Sequence, residues 1–199
     1  MNVRDLDRRA MAVTAGLIPA VTPRNWTDPT PCGQWRVHDL LAHILGQYHG
    51  FALAASGQPT TVEAFAPRPV TAPELAADYA VAAGRVSEAF AADGVLDRRF
   101  HLPEIRAGGS FPAAAAIGFH LVDEVVHAWD LAVAIGAPVG FDDEVLRAAL
   151  SVARQVPNDP ASRGEGAAFG PGTDPGPDRP ALDRIVALLG RDPDWTAAR

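Results

Sequence analysis

The sequence predicts an all-α protein: a four-helix bundle with extra short helices and room for one short β-hairpin. Three observations lead there. Leu6, Ala10, Val13, Leu17 and Val21 recur at intervals of three or four, the spacing of one helical face. The run from about Phe111 to Ile135 is almost wholly apolar, with no proline after Pro112. Proline and glycine gather between such stretches, where they stop helices. With 199 residues and 48% hydrophobic content the chain can fill one core. A single domain spanning 1–199 is therefore expected.

The first helix runs from Val3 to about Val21. Residues Thr22 to Gln34 hold Pro23, Pro29, Pro31 and Gly33, which predicts an ordered, non-helical crossing with Trp26 as a packing anchor. A second helix starts near Trp35 or Val37 and lasts to about Ala55, before Gly57 and Pro59. Thr71, Pro73 and Glu74 have the residue types of an N-cap, an early proline and a capping-box acid, and open a third helix to about Ala92. Between Asp93 and Ser110 the pattern of Val95, Leu96, Phe100 and Leu102, followed by Pro103, Gly108 and Gly109, predicts a short extended segment or hairpin. The long fourth helix follows and closes at Gly136. A fifth begins at Asp142 or Asp143 and ends by Val156. Segment 157–180 is too poor in large apolar residues to fold alone, so it lies on the bundle or hangs loosely from it. Pro180 to Gly190 forms a last amphipathic helix.

A net charge of −7 without a basic run argues against nucleic acid or an anionic membrane surface as partner. The N-terminal residues do not form a signal peptide, and no run is long and apolar enough to span a bilayer, so a cytoplasmic location is expected. One cysteine, Cys32, excludes an internal disulfide. All seventeen basic residues are arginine, a usage that suits a GC-rich bacterial genome. The expected partner is a small-molecule substrate, and the chain is expected to act as a monomer or homodimer.

Chemistry concentrates in His120 to Leu131. Residues four apart stack on a helix, so Asp123 and His127 share one face, as do His120 and Glu124. A carboxylate and an imidazole so placed can converge on one ion. In the second helix His43 lies between Leu40, Leu41, Ala42, Ile44 and Leu45, and an imidazole flanked that way faces inward. Two histidines and one carboxylate would leave a coordination position open, as reactive sites do. Spacing alone leaves the bland alternative standing: a core histidine satisfied by a hydrogen bond, and an intrahelical Asp123–His127 pair.

The stretch Thr30-Pro31-Cys32-Gly33-Gln34-Trp35-Arg36-Val37-His38-Asp39-Leu40-Leu41-Ala42-His43 resembles the opening motif of the mycothiol-dependent maleylpyruvate isomerase N-terminal domain group of the DinB-like superfamily. Asp123-Glu124-Val125-Val126-His127-Ala128-Trp129-Asp130-Leu131-Ala132 resembles its second motif, and Asp183 to Trp195 the ending of short actinobacterial metal-binding members. The resemblance implies a DinB-like four-helix bundle holding a divalent metal, usually zinc or nickel, with zinc the first expectation. The implied ligands are His43, Asp123 and His127. The isomerase that names the group has Glu where this chain has Asp123 and a further C-terminal domain that this chain is too short to contain. The activity implied is therefore broader: a metal-dependent enzyme that activates a low-molecular-weight thiol, with mycothiol as cosubstrate, for transfer to or isomerisation of a small electrophile. Alternatives are a non-catalytic metal- or ligand-binding bundle, and a metal-assisted hydrolase or biosynthetic enzyme.

Around the ligands, Asp39 four residues before His43 and Asp130 three after His127 are placed to orient an imidazole. Solvated surface charges explain both equally well. Glu124 is an alternative ligand to Asp123, His120 either lines the pocket or is a core histidine, and Trp35 and Trp129 are expected at the mouth of the site. His38, His49 and His101 fit surface or loop roles. Cys32 is expected to be a small buried residue outside the ligand set.

Overall fold

The computed structural model describes residues 2–105, 108–163 and 167–197. Helix α1 (Val3–Leu17) starts at Asn2, whose side chain accepts a hydrogen bond from the Arg4 backbone N–H. It turns inward Leu6, Ala10, Met11 and Leu17, and a short 3₁₀ turn at 18–20 takes up what the periodicity had assigned to the helix end. The crossing behind it is pinned by backbone bonds from Val37 to Asp28 and from His38 to Trp26, which aim the chain into α2 (Val37–Ala55). Asp39 accepts from the Arg36 N–H at 3.0 Å and closes a capping box. Along α2, Gly46 and Gly50 form a notch: a Cβ at 46 would run into the Ala66 carbonyl, and one at 50 into the Phe65 ring.

Helix α3 (Leu75–Ala91) begins four residues later than Thr71, because Thr71 closes a turn instead. Its hydroxyl donates to the Glu74 carboxylate and its carbonyl accepts from the N–H groups of Glu74 and Leu75. Strands β1 (Arg99–Leu102) and β2 (Gly109–Pro112) form the expected hairpin, with Phe100 opposite Phe111. β2 occupies the first residues assigned by periodicity to the fourth helix, so α4 runs Ala113–Ile135. Gly136 ends α4 in a left-handed conformation, φ 69°. Asp142 caps α5 (Asp143–Ala153), accepting from the N–H groups of Glu144 and Val145, and with Glu144 pairs to Arg9 of α1. Helix α6 (Ala181–Leu188) closes the order.

In cross-section the four long helices follow the cyclic order α1, α4, α2, α3, a DinB-like bundle. Apolar packing forms two layers. Inside the bundle lie Leu40, Leu41, Tyr79, Phe90, Phe100 and Ile117. On the far side of α4, Val122, Val125, Val126 and Trp129 meet Leu6 and Ala10 of α1, Val145 and Ala149 of α5, and Ile185 and Val186 of α6. α4 is thus covered on nearly every face, which is why its Glu124 and Asp130 are buried.

The described part of 157–180 lies against α6. Asn158 exchanges two hydrogen bonds with the Gly172 backbone, both at 2.8 Å, and Thr173 donates to the Ala187 carbonyl. Among the described residues no helix is long and apolar enough to cross a membrane.

Candidate metal centre

Position 43 on α2 and positions 123 and 127 on α4 face one another where these two helices pack. His127 Nε2 lies 3.3 Å from Asp123 Oδ1, His43 Nε2 lies 3.7 Å from Asp123 Oδ2, and the two imidazole rings stand edge to face at 4.9 Å. Ligand atoms of all three residues fall within 4.8 Å of one another. His127 is buried, while the side chains of His43 and Asp123 keep 18% and 20% exposure, so the cluster opens to solvent on one side. Trp35 packs its ring 4.7 Å from that of His43 and 6.1 Å from that of His127. Beside Trp35 a cleft of ≈ 240 Å³ is lined by Trp26, His38, Asp39, Pro67, Pro69 and Val70.

Burial alone would raise the Asp123 carboxyl, but the imidazoles of His127 and His43 outweigh it and hold the group well below the usual carboxylate range. Burial alone would lower His127. The Asp123 charge and hydrogen bonds to Asp123 and Asp130 outweigh it and push the imidazole up to about 9. Two nitrogen donors and an anionic oxygen around one point are what a divalent cation of zinc type requires.

Behind this cluster is a second set of groups. His127 Nδ1 lies 3.0 Å from Asp130 Oδ2, and an ionised Asp130 can only accept, so the imidazole donates there and leaves Nε2 toward Asp123 and His43. Arg191, which follows α6, donates to both Asp130 oxygens and, through its NH2 group, to Cys32 Sγ at 3.0 Å. Cys32, partly exposed, is pushed up to about 12, chiefly by burial and against the pull of Arg191, and so stays a thiol. Cys32, His127 and Asp130 also present ligand atoms within 4.8 Å of one another.

Several sequence expectations are corrected. Asp39 does not reach His43; its carboxylate is taken by the α2 capping box and by His38 Nδ1 at 3.2 Å. Glu124 faces away from His43 and accepts from Thr14 and Tyr48, each at 3.0 Å. Of the two readings of His120 the core one holds: at 1% exposure it pairs with Asp7 Oδ1 at 2.7 Å, with Phe51, Phe90 and Tyr48 around its ring. Trp129 lies in the outer apolar layer, away from the mouth where Trp35 sits. His38 is half-buried beside Trp26, and His101, within β1 of the hairpin, bonds Thr60. Asp130 and its imidazole do come together, but its second partner Arg191 and the exposure of Cys32 to that partner escaped the sequence. No local pattern announces a contact spanning 61 residues.

The profile of the mycothiol maleylpyruvate isomerase N-terminal domain matches residues 8–132. Uncharacterized proteins from two strains of Mycobacterium tuberculosis are each 32% identical over 186 residues, covering 92% of this chain and 94% of each relative. Among solved structures, that of the mycothiol-dependent maleylpyruvate isomerase superposes with a TM-score of 0.61 and a histidine-to-alanine mutant of it with 0.62. Each is 16% identical to this chain and covers 96% of it and 80% of its own length. At that identity the likeness speaks to the fold.

Proposed function

The chain belongs to the mycothiol maleylpyruvate isomerase N-terminal domain family. From that premise we propose that it is a metal-dependent enzyme which activates a low-molecular-weight thiol of mycothiol type for transfer to, or isomerisation of, a small electrophile. His43, Asp123 and His127 would hold the metal, zinc first and nickel as the second choice. The observation that carries this reading is the convergence of two imidazole nitrogens and one carboxylate oxygen, from two helices, within 4.8 Å on a solvent-open side. The solved protein of like fold is a mycothiol-dependent maleylpyruvate isomerase, which supports both the thiol and the electrophile in the proposal.

A divalent ion bound there would lower the pKa of a thiol in its free position, so that the nucleophile is present at neutral pH. The chain's own groups do the rest. Asp130 fixes the ring of His127 through Nδ1, so that Nε2 faces the centre. Trp35 covers one flank of both histidines and limits water there. The cleft beside it, walled by two indoles and prolines, takes the organic part of the substrate.

The test is thiol consumption and product formation with mycothiol and a panel of small electrophiles, maleylpyruvate among them, using metal-free and zinc-loaded protein. Turnover that needs both metal and His43 is the expected result. No acceleration across the panel, with metal removal melting the fold, would favour a non-catalytic metal-binding bundle.

A further inference from the structure

Arg191 lies outside the matched residues 8–132, yet the residue is only 6% exposed and its guanidinium stands directly behind the candidate centre. One of its nitrogens is 3.0 Å from Cys32 Sγ and 3.0 Å from Asp130 Oδ2. Those two atoms belong to a second possible ligand triad, Cys32, His127 and Asp130. A thiolate, an imidazole and a carboxylate suit zinc at least as well as the first triad does. His127 belongs to both triads and one imidazole cannot serve both equally: Nε2 faces Asp123, Nδ1 faces Asp130.

The chain takes trouble to deliver this side chain. Gly190 adopts φ +80°, and a Cβ there would meet the Gly170 backbone at 2.6 Å. Arg163 donates to the carbonyls of Pro157, Gly170 and Leu188, tying the irregular segment to the end of α6. Phe169 lies under both guanidiniums, 5.8 Å from Arg163 and 5.6 Å from Arg191. Pro157, Arg163, Phe169, Gly170 and the α6 terminus together clamp Arg191 in place.

We propose that Arg191 is a built-in cation that fills the Cys32–His127–Asp130 triad, confining metal to His43, Asp123 and His127 and holding Asp130 on the Nδ1 side of His127. The confinement rests on the metal reading above; the latent thiol-containing triad does not. Without the guanidinium, a divalent ion can enter, Cys32 gives up its proton to solvent, and a metal–sulfur bond forms.

Cobalt(II) titration followed by absorption separates the cases, because only a thiolate ligand adds a near-ultraviolet sulfur-to-cobalt charge-transfer band. Wild type is expected to take cobalt with visible ligand-field bands and no sulfur band. Arg191→Ala, and Arg191→Gln, which keeps more of the packing, gain the sulfur band; adding Cys32→Ser to either removes it. Arg191→Lys, still cationic, stays without it. In the Cys32→Ser background, Arg191→Gln weakens cobalt binding at the first triad about 10- to 100-fold, as loss of an outer-shell partner does. A sulfur band in wild type, or none in either neutral variant with native circular dichroism, overturns the proposal. Wild type without ligand-field bands would instead remove the metal reading, while a sulfur band in the variants would still establish the latent triad.

Discussion

Helix α4 carries two acid–histidine pairs at the same four-residue spacing, and they meet opposite fates. His120 and Glu124 sit where all four long helices touch. Asp7 and Thr14 come from α1, Tyr48 from α2 and Tyr79 from α3, and the cluster is closed to water. Asp123 and His127 look one stripe further round, toward His43 of α2; His127 is buried there, whereas Asp123 and His43 remain partly exposed. The difference teaches that spacing selects a shared face, whereas the helix that covers the face decides between a core network and an open centre. In the closed cluster Asp7 Oδ2 and His120 Nε2 are buried without a hydrogen-bond partner among the described residues. In the open cluster ligand atoms of His43, Asp123 and His127 lie within 4.8 Å of one another.

The comparison breaks most forcefully at Asp7. Asp7→Ala strips the buried imidazole of His120 of its charge partner and is expected to cost about 3–5 kcal/mol of stability, read as a lower urea midpoint, with metal content unchanged. A shift no larger than that of a surface substitution would mean the two clusters are not energetically different.

pH sharpens the contrast next. Burial, working against the pull of His120, raises the Glu124 carboxyl from 4.5 to about 7. His120 is lowered by burial, but Asp7 outweighs this and lifts it from 6.5 to about 9. In both cases the folded state binds the proton more tightly. The Glu124 contribution is present below pH 4.5 and lost as pH rises through about 7; that of His120 is present below 6.5 and lost through about 9. His127, also raised to about 9, acts in the same direction when no metal is bound. Metal-free protein should therefore lose a few kcal/mol between about pH 5 and 9, followed as a falling thermal midpoint. A midpoint that climbs over this range would contradict the assigned partners.

Smaller effects follow. Tyr48→Phe removes the hydroxyl that donates to Glu124 and pairs with Tyr79, and is expected to cost about 1–2 kcal/mol without altering metal content. Asp39→Ala should cost about 0.5–1 kcal/mol as a lost helix cap, again with metal retained; loss of metal in that variant would restore Asp39 to the centre.

The helices were legible because buried faces repeat at helical intervals, as Leu6, Ala10 and Leu17 show, and because Pro59, Gly136 and Asp142 mark real ends and starts. The start of α3 was misplaced because Thr71 and Glu74 satisfied one another in a turn. That His43, Asp123 and His127 belong together is what the resemblance of the two motifs implies, whereas spacing alone leaves an intrahelical pair and a core histidine as an equal reading. The contacts of Asp39 went wrong because its carboxylate had a nearer use at the α2 terminus. Asp7 with His120, 113 residues apart, and Arg191 with Asp130 could not be seen, since pairing at such distance depends on packing that leaves no local pattern.

The central claim, that one divalent ion is shared by His43, Asp123 and His127, is tested most directly by elemental analysis of protein purified without added metal. Wild type is predicted to carry a stoichiometric divalent ion, zinc first. His43→Ala, Asp123→Ala and His127→Ala should each lose it while retaining helical circular dichroism. Full retention of metal in all three variants would contradict the assignment.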